Sequence, residues 1–324
     1  MKKFICVMLT VILTLSCFAG CGAKSDDGVI NVAIVQQLDH ASLDEIRTAV
    51  QNQLDAIAAE KGVEVKYEHF NGQNDTSILA QIGTQVVSDG YDVIIPIATL
   101  AAQYAVTAAE GTDIPIIYAA VSDPEGAGLT GLPNVTGVSD ALNTPFILDM
   151  MFTVDPSIET VGLLYSLSEP NSEKPIAEAK AYLDAKGIPY IEKTGNTADE
   201  VITAASALVG RCDAVFTPTD NAIMNVAPTV AETFLAAGIA HYTGADSFVA
   251  AGSFITCGVN YTELGTYAAN MAMDIVLGGE IPEFHVMDGG IITYNKDTAD
   301  ALGLNCDVLK TLANTVIAVS TIVD

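Results

Sequence analysis

The sequence predicts an α/β protein of two Rossmann-like lobes with parallel sheets, joined by a three-segment hinge. Three observations carry that expectation. Short apolar runs alternate with helical stretches along the chain, the order of a parallel sheet covered by helices on both faces. The plan of the first half recurs in the second, which means two similar lobes and not one long sheet. Three stretches are suited to crossing between lobes: "NVTGVSDALN" (134–143), "TCGVNY" (256–261) and "DGGIITYN" (288–295). The first lobe is then residues 30–138 plus 260–287, and the second is residues 139–259 plus 288–324.

In the first half, "INVAIV" (30–35) reads as a strand. The stretch "SLDEIRTAVQNQLDAIAAEKG" spaces Leu43, Ile46, Val50, Leu54 and Ile57 at three- and four-residue steps, an amphipathic helix. Ser42 with Glu45 three residues later reads as a capping box, and Gly62 as the helix stop. "VEVKYEHF", "DVIIPIA" and "IPIIYAAV" are the next strands, with "SILAQIGTQVVSDG" and "LAAQYAVTAAEG" as helices between them. In the second half, "ETVGLLY" (159–165) and "IPYIEKTG" are strands around the helix "EKPIAEAKAYLDAKG". "CDAVFTPTDNAI" repeats "YDVIIPIATLAA": an Asp, an apolar run, a Pro, then polar residues opening a helix. "GIAHYTGADSFVAAG" likewise echoes "DIPIIYAAVSDPEGAG". The tail "CDVLKTLANTVIAVSTIVD" reads as a final strand or a docked extension.

At 324 residues the chain has ample material for two cores, and half of it is hydrophobic. Beyond the first twenty residues no apolar run reaches membrane-spanning length. The N-terminus differs: Lys2 and Lys3 precede an apolar stretch from Phe4 to Leu15, and Ala19 and Gly20 stand just before Cys21. This resembles a bacterial lipoprotein signal, with residues 1–20 removed, lipid on Cys21 and residues 21–29 as a polar tether. Phe18 stands where Leu is more usual, and an ordinary signal peptide or a short anchor helix is the alternative. Loss of the two lysines would move the formal charge from −27 to −29. So acidic a protein is no partner for nucleic acid, whose phosphates need clustered Lys and Arg. Cys212, Cys257 and Cys306 are widely spaced and odd in number, neither a disulfide framework nor a zinc site, and read as small buried hydrophobes.

In open parallel sheets ligands collect at the carboxyl ends of strands. The loops there are "QQLDH" (36–40), "ATLAAQ" (98–103), "AVSDPEGAG" (120–128), "SLSEPNS" (166–172), "TPTDNA" (217–222) and "GADSF" (244–248). They are rich in short hydrogen-bonding groups. His40, His69, His241 and His285 are scattered and form no metal pair, and there is no G-x-S-x-G elbow or Walker loop. "GAGLTG" (126–131) matches a dinucleotide fingerprint, but "LPNVTG" follows it where a helix is required. The expectation is therefore a binding protein and not an enzyme, with no metal and no cofactor; a hydrolase built on a carboxylate pair is the weaker alternative. Thr99 ends a strand and opens a helix, so it is either a cap or, with the free N–H groups there, part of a cradle for a carboxylate. "SEPNS" offers the same geometry through Asn171 or Ser172. Asp220 either offsets an ammonium or caps its own helix, beside Asn221. Asp123-Pro124 is chiefly a turn signal. Tyr165 and Phe248 stack on a flat ligand or belong to the core.

"LDHASLD", "ATLAAQ", "VSDPEGAGL", "NVTGVSD", "LYSLSEPNS" and "PTDNAI" stand in the order seen in a known family, from about residue 30 to about 304. The chain resembles ABC-transporter substrate-binding lipoproteins of the tryptophan/tyrosine-uptake type. The resemblance implies a periplasmic-binding-protein type I fold closing on a ligand, with delivery to a membrane permease driven by a separate ATPase. It implies contacts from His40, Thr99, Ala101, Ala102 and Asp123 in one lobe. From the other it implies Glu169, Asn171, Ser172, Asp220 and Asn221. The family pattern has Pro where this chain has Ala41 and Leu100. Asp246 matches no family motif; beside Asp220 it would favour a ligand with a free amine. The function expected is an extracytoplasmic, lipid-anchored binding component of an ABC importer for a small zwitterion, an aromatic amino acid foremost. A nucleoside- or sugar-binding lipoprotein of the same fold, or a tethered sensory module, is the alternative.

Overall fold

The computed structural model describes residues 28–322. The chain begins with β1 (Val29–Gln36), α1 (Ala41–Lys61), β2 (Glu64–Asn71), α2 (Thr76–Asp89) and β3 (Val93–Ile97). It continues through α3 (Thr99–Ala108), β4 (Ile116–Ala119) and β5 (Val135–Ser139). It then crosses into the second lobe as α4 (Thr144–Val154), β6 (Val161–Tyr165), α5 (Glu173–Lys186), β7 (Tyr190–Thr194) and α6 (Ala198–Ser206). There follow β8 (Ala214–Thr217), α7 (Asn221–Met224), α8 (Ala227–Ala236), β9 (Ala240–Thr243), α9 (Asp246–Ala250) and β10 (Ile255–Gly258). Next come α10 (Tyr261–Val276) and β11 (His285–Val286), and the chain ends with β12 (Ile291–Asn295), α11 (Lys296–Leu302) and β13 (Thr315–Val319).

The strands form two sheets, ordered β11-β5-β4-β3-β1-β2 and β13-β12-β10-β9-β8-β6-β7. The chain therefore passes between sheets three times, after β5, after β10 and after β11. One pairing departs from the parallel expectation: β12 runs antiparallel to β10. A parallel neighbour needs a crossover connection, and β12 instead arrives directly through the hinge. The tail becomes β13, a strand parallel to β12.

Local chemistry explains most boundaries. β3 is buried at all five residues, as a central strand covered on both faces must be. α1 stops at Gly62, whose φ of 67° suits a left-handed cap. Its start corrects the sequence expectation. His40 makes no side-chain cap, and no Ser42–Glu45 box forms. Glu45 Oε1 instead accepts from the N–H (2.9 Å) and hydroxyl (2.6 Å) of Thr262, tying α1 to α10. The second lobe's counterpart of α3 is broken into α7 and α8, because Pro228 lacks the N–H that would continue the first turn. Cys212 and Cys257 are buried and Cys306 half-buried, all as free thiols.

α10 belongs to the first lobe by packing: it lies against α1 and closes the core beneath β3 and β4. The approach requires a glycine. A Cβ on Gly265 would stand 2.5 Å from the Ile46 carbonyl oxygen and 2.8 Å from the Ala49 methyl. Gly265→Val should cost about 1–3 kcal/mol through overpacking. Urea denaturation checks this: the midpoint falls while the slope stays constant.

Candidate functional site

The carboxyl ends of both sheets face a narrow slot between the lobes. The first lobe contributes His40, Ser42, Leu43, Ala98, Thr99 and Ala120, followed by Ser122. The second contributes Asn171, Thr219, Asp220, Asn221, Met224 and Phe248, with Ala245 and Ser247 beside them. Asp140 and Tyr261, on two of the crossings, complete the wall. The slot has about 400 Å3 of space between its walls, part of it open to solvent.

In the first lobe the site is made by two strained junctions. Ala98, between β3 and α3, has φ 77° and ψ 163°, and Ala120, just after β4, has φ 57°. Such conformations cost a non-glycine residue roughly 1–3 kcal/mol and persist where surrounding structure enforces them. Thr99 is therefore the first residue of α3, and Ala98 occupies the cap position without a side-chain bond. The Thr99 hydroxyl does not cap the helix. It is buried on the slot wall and has no protein partner. Of the first-turn N–H groups, that of Leu100 donates to Gln37 Oε1 (3.3 Å). Those of Thr99 and Ala101 meet no acceptor among the described residues.

In the second lobe Asp220 caps α7. Its carboxylate receives the Ser166 N–H (2.7 Å), the Ser172 hydroxyl (2.7 Å) and the Ile223 N–H (3.1 Å). A carboxylate has about four acceptor sites, so Asp220 is largely satisfied within its own lobe. Asn171 donates to the Thr219 carbonyl, and its own carbonyl oxygen is buried without a partner.

Polar contacts join the lobes directly. Gln37 Nε2 donates across to Glu169 Oε1 (3.0 Å), whose other oxygen accepts from Asn221 Nδ2 of its own lobe (2.8 Å). His40 Nε2 lies 3.1 Å from Asn221 Oδ1, and Ser122 Oγ lies 3.2 Å from Thr219 Oγ1. Burial, with the nearby Asp220 charge, pushes the Glu169 carboxyl up to about 8. Burial holds His40 below the ordinary imidazole value, against a smaller opposing effect of Asn221. Burial likewise raises Asp140, opposed by the Ser122 hydroxyl that donates to it (2.9 Å).

Of the residues singled out in the sequence, His40, Thr99, Asn171, Asp220 and Asn221 line the slot. Glu169 and Ser172 are buried one layer behind it, as partners of Asn221 and Asp220. Ala101 and Ala102 are fully buried, and their methyls pack in the first lobe's core. Asp123 lies off the slot, where its carboxylate pairs with Lys174 of the other lobe at 3.4 Å. Asp246 opens α9 without reaching the lining, half-buried near Glu45. Phe248 lines the slot, whereas Tyr165 does not and donates to Glu192 (2.8 Å). Cys21 lies outside the described residues. The sequence reading passed over Ser42, Ser122, Asp140 and Tyr261. Asp140 and Ser122 both sit in quoted motifs, "NVTGVSD" and "VSDP", whose turn and crossing character hid them.

Glu169 makes stability depend on pH. Its folded-state value lies above the ordinary glutamate value of 4.5, so the folded protein binds the proton more tightly. This contribution is complete below about 4.5 and is lost as pH rises through about 8. The melting temperature should fall across that window, and Glu169→Gln should fall less steeply. Thermal denaturation of both proteins at half-unit pH steps checks the difference in slope.

Residues 31–316 match the model of a family described as ABC transporter substrate binding protein. A tyrosine-binding protein of Clostridioides difficile is 30% identical over 322 residues, covering 94% of this chain and 93% of that protein. An ABC domain from Streptococcus pneumoniae in complex with L-Trp superposes with a TM-score of 0.82 at 29% identity, covering 89% of this chain and 99% of the other. The ligand-free, open structure of a substrate binding protein with adhesive properties from Clostridium difficile gives 0.68 at 30% identity, covering 90% and 100%. From its fold, its family match over nearly its whole described length and these relatives, the chain belongs to the ABC transporter substrate-binding protein family.

Proposed function

We propose that this protein captures an amino acid, foremost an aromatic one, between its lobes and presents it to an ABC permease. One observation carries the reading. Among the described residues, four buried side-chain atoms on the slot lining lack a protein partner: His40 Nδ1, Ser42 Oγ, Thr99 Oγ1 and Asn171 Oδ1. An unsatisfied buried polar atom costs about 1–3 kcal/mol. A ligand that supplies the missing partners recovers that cost. Leu43, Met224 and Phe248 provide apolar wall beside these atoms, suited to a hydrophobic side chain.

The start of α3 fits a carboxylate. It combines the Thr99 hydroxyl, two N–H groups without an acceptor among the described residues, and the positive end of a ten-residue helix. The helix-end charge alone contributes roughly 0.3–1 kcal/mol, so the hydroxyl and N–H groups must add to it. The tyrosine-binding and tryptophan-complexed relatives support an aromatic amino acid. Sugar-bound structures share the fold at much lower identity, and this chain has no Trp to stack on a sugar ring. Closure about the three crossings would form the Gln37–Glu169 and His40–Asn221 contacts and seal the slot. Substrate-binding proteins of ABC importers act outside the cytoplasm, and lipid on Cys21 would hold this one at the membrane surface. No helix among the described residues is long and apolar enough to cross a membrane.

Calorimetry of the purified protein with each of the twenty amino acids tests the proposal. Binding tighter than about 100 μM, roughly −5.5 kcal/mol, is expected for at least one aromatic amino acid; none at that strength would sink the reading. Thr99→Val keeps the shape and removes the hydroxyl. It should weaken the best ligand about 10-fold or more, as loss of a hydrogen bond to a charged group does.

A further inference from the structure

We propose that Asp140 receives the ligand's ammonium group and sets the preference for amines over otherwise identical acids. The assignment rests on the amino-acid reading above. It starts from the charge inventory of the slot. The lining holds two carboxylates, Asp140 and Asp220, and neither Lys nor Arg. A buried carboxylate without an opposite charge is costly, and a cationic ligand group would supply one.

The two differ in the room they leave for it. Asp220 already receives three donors from its own lobe, which leave few of its acceptor sites free. Asp140 receives the Ser122 hydroxyl at 2.9 Å, with the Tyr261 phenol beside it. That leaves acceptor capacity open on a side chain that lines the slot and is only 6% exposed. Two further carboxyl groups, Asp246 and Glu45, lie near the Tyr261 phenol. The slot thus presents donors at Thr99 and an uncompensated carboxylate at Asp140, the complement of a zwitterion.

The position of Asp140 adds a mechanical role. It stands on the crossing that follows β5, while Tyr261 begins α10 at the crossing that follows β10. Ser122 connects the same carboxylate toward Thr219 of the second lobe. An ammonium held there contacts the hinge itself, and its charge favours the arrangement in which Ser122 and Thr219 meet.

The test compares each protein's affinity for L-tyrosine and L-tryptophan with that for their deamino analogues, 3-(4-hydroxyphenyl)propionate and 3-(indol-3-yl)propionate. The wild type should prefer the amino acids about 30-fold or more, the scale expected for a buried charge pair. Asp140→Asn should reduce that ratio to within a few-fold of one, chiefly by weakening the amino acids. Asp140→Ser repeats the measurement with a smaller neutral side chain, and thermal unfolding confirms that at least one variant is folded. A folded variant that keeps the wild-type ratio overturns the assignment alone. A wild-type protein that binds no amino acid overturns the functional reading, and the assignment with it.

Discussion

Glu169 carries a carboxyl group where the two lobes meet in protein shielded from water. One oxygen takes the Gln37 amide of the first lobe, and the other takes the Asn221 amide of the second. Gln37, Glu169 and Asn221 are all buried, where hydrogen bonds act more strongly than in water. Much of the site's geometry follows. Asn221, held by Glu169, turns its carbonyl oxygen toward His40. Gln37, held by the same carboxyl, uses its own carbonyl oxygen on the Leu100 N–H. That engagement decides which groups at the start of α3 stay unpaired, and Thr99 is among them.

The same economy governs the lobes. Neither is a continuous stretch of chain, because α10 returns to pack on α1 and β11 pairs with β5. Each return adds a crossing, and three crossings confine the relative motion of the lobes more tightly than one linker could. The antiparallel β12 is the visible trace of the last crossing, a strand entering its sheet from the hinge side. Asp140 and Tyr261 sit on such crossings and also line the slot. Ligand chemistry and hinge geometry therefore share residues.

Most of the architecture was legible in the sequence, since alternation, repetition and the three crossing stretches are long-range patterns that depend on many residues at once. The site was legible in part. Thr99, Asn171, Asp220 and Asn221 were placed on the slot because strand ends and helix starts can be read from local pattern, and His40 by family resemblance. Their roles could not be read so. The cap expected at Thr99 lies one residue earlier, because Ala98 adopts a backbone conformation that no propensity favours for alanine. Ser42 looked like half of a capping box until Glu45 was claimed by Thr262, 217 residues away. Asp140 was hidden by its setting, since a carboxylate in a crossing segment looks like solvated linker until the second crossing brings Tyr261 to it.

The strained alanines at positions 98 and 120 carry one more implication. Glycine would adopt either conformation freely, yet both positions keep a methyl group on the slot wall. Both alanines belong to the first lobe, so that wall is shaped by backbone held against its own preference. Exchange of either for glycine would relieve the strain, so the fold gives up stability to keep this wall as it is.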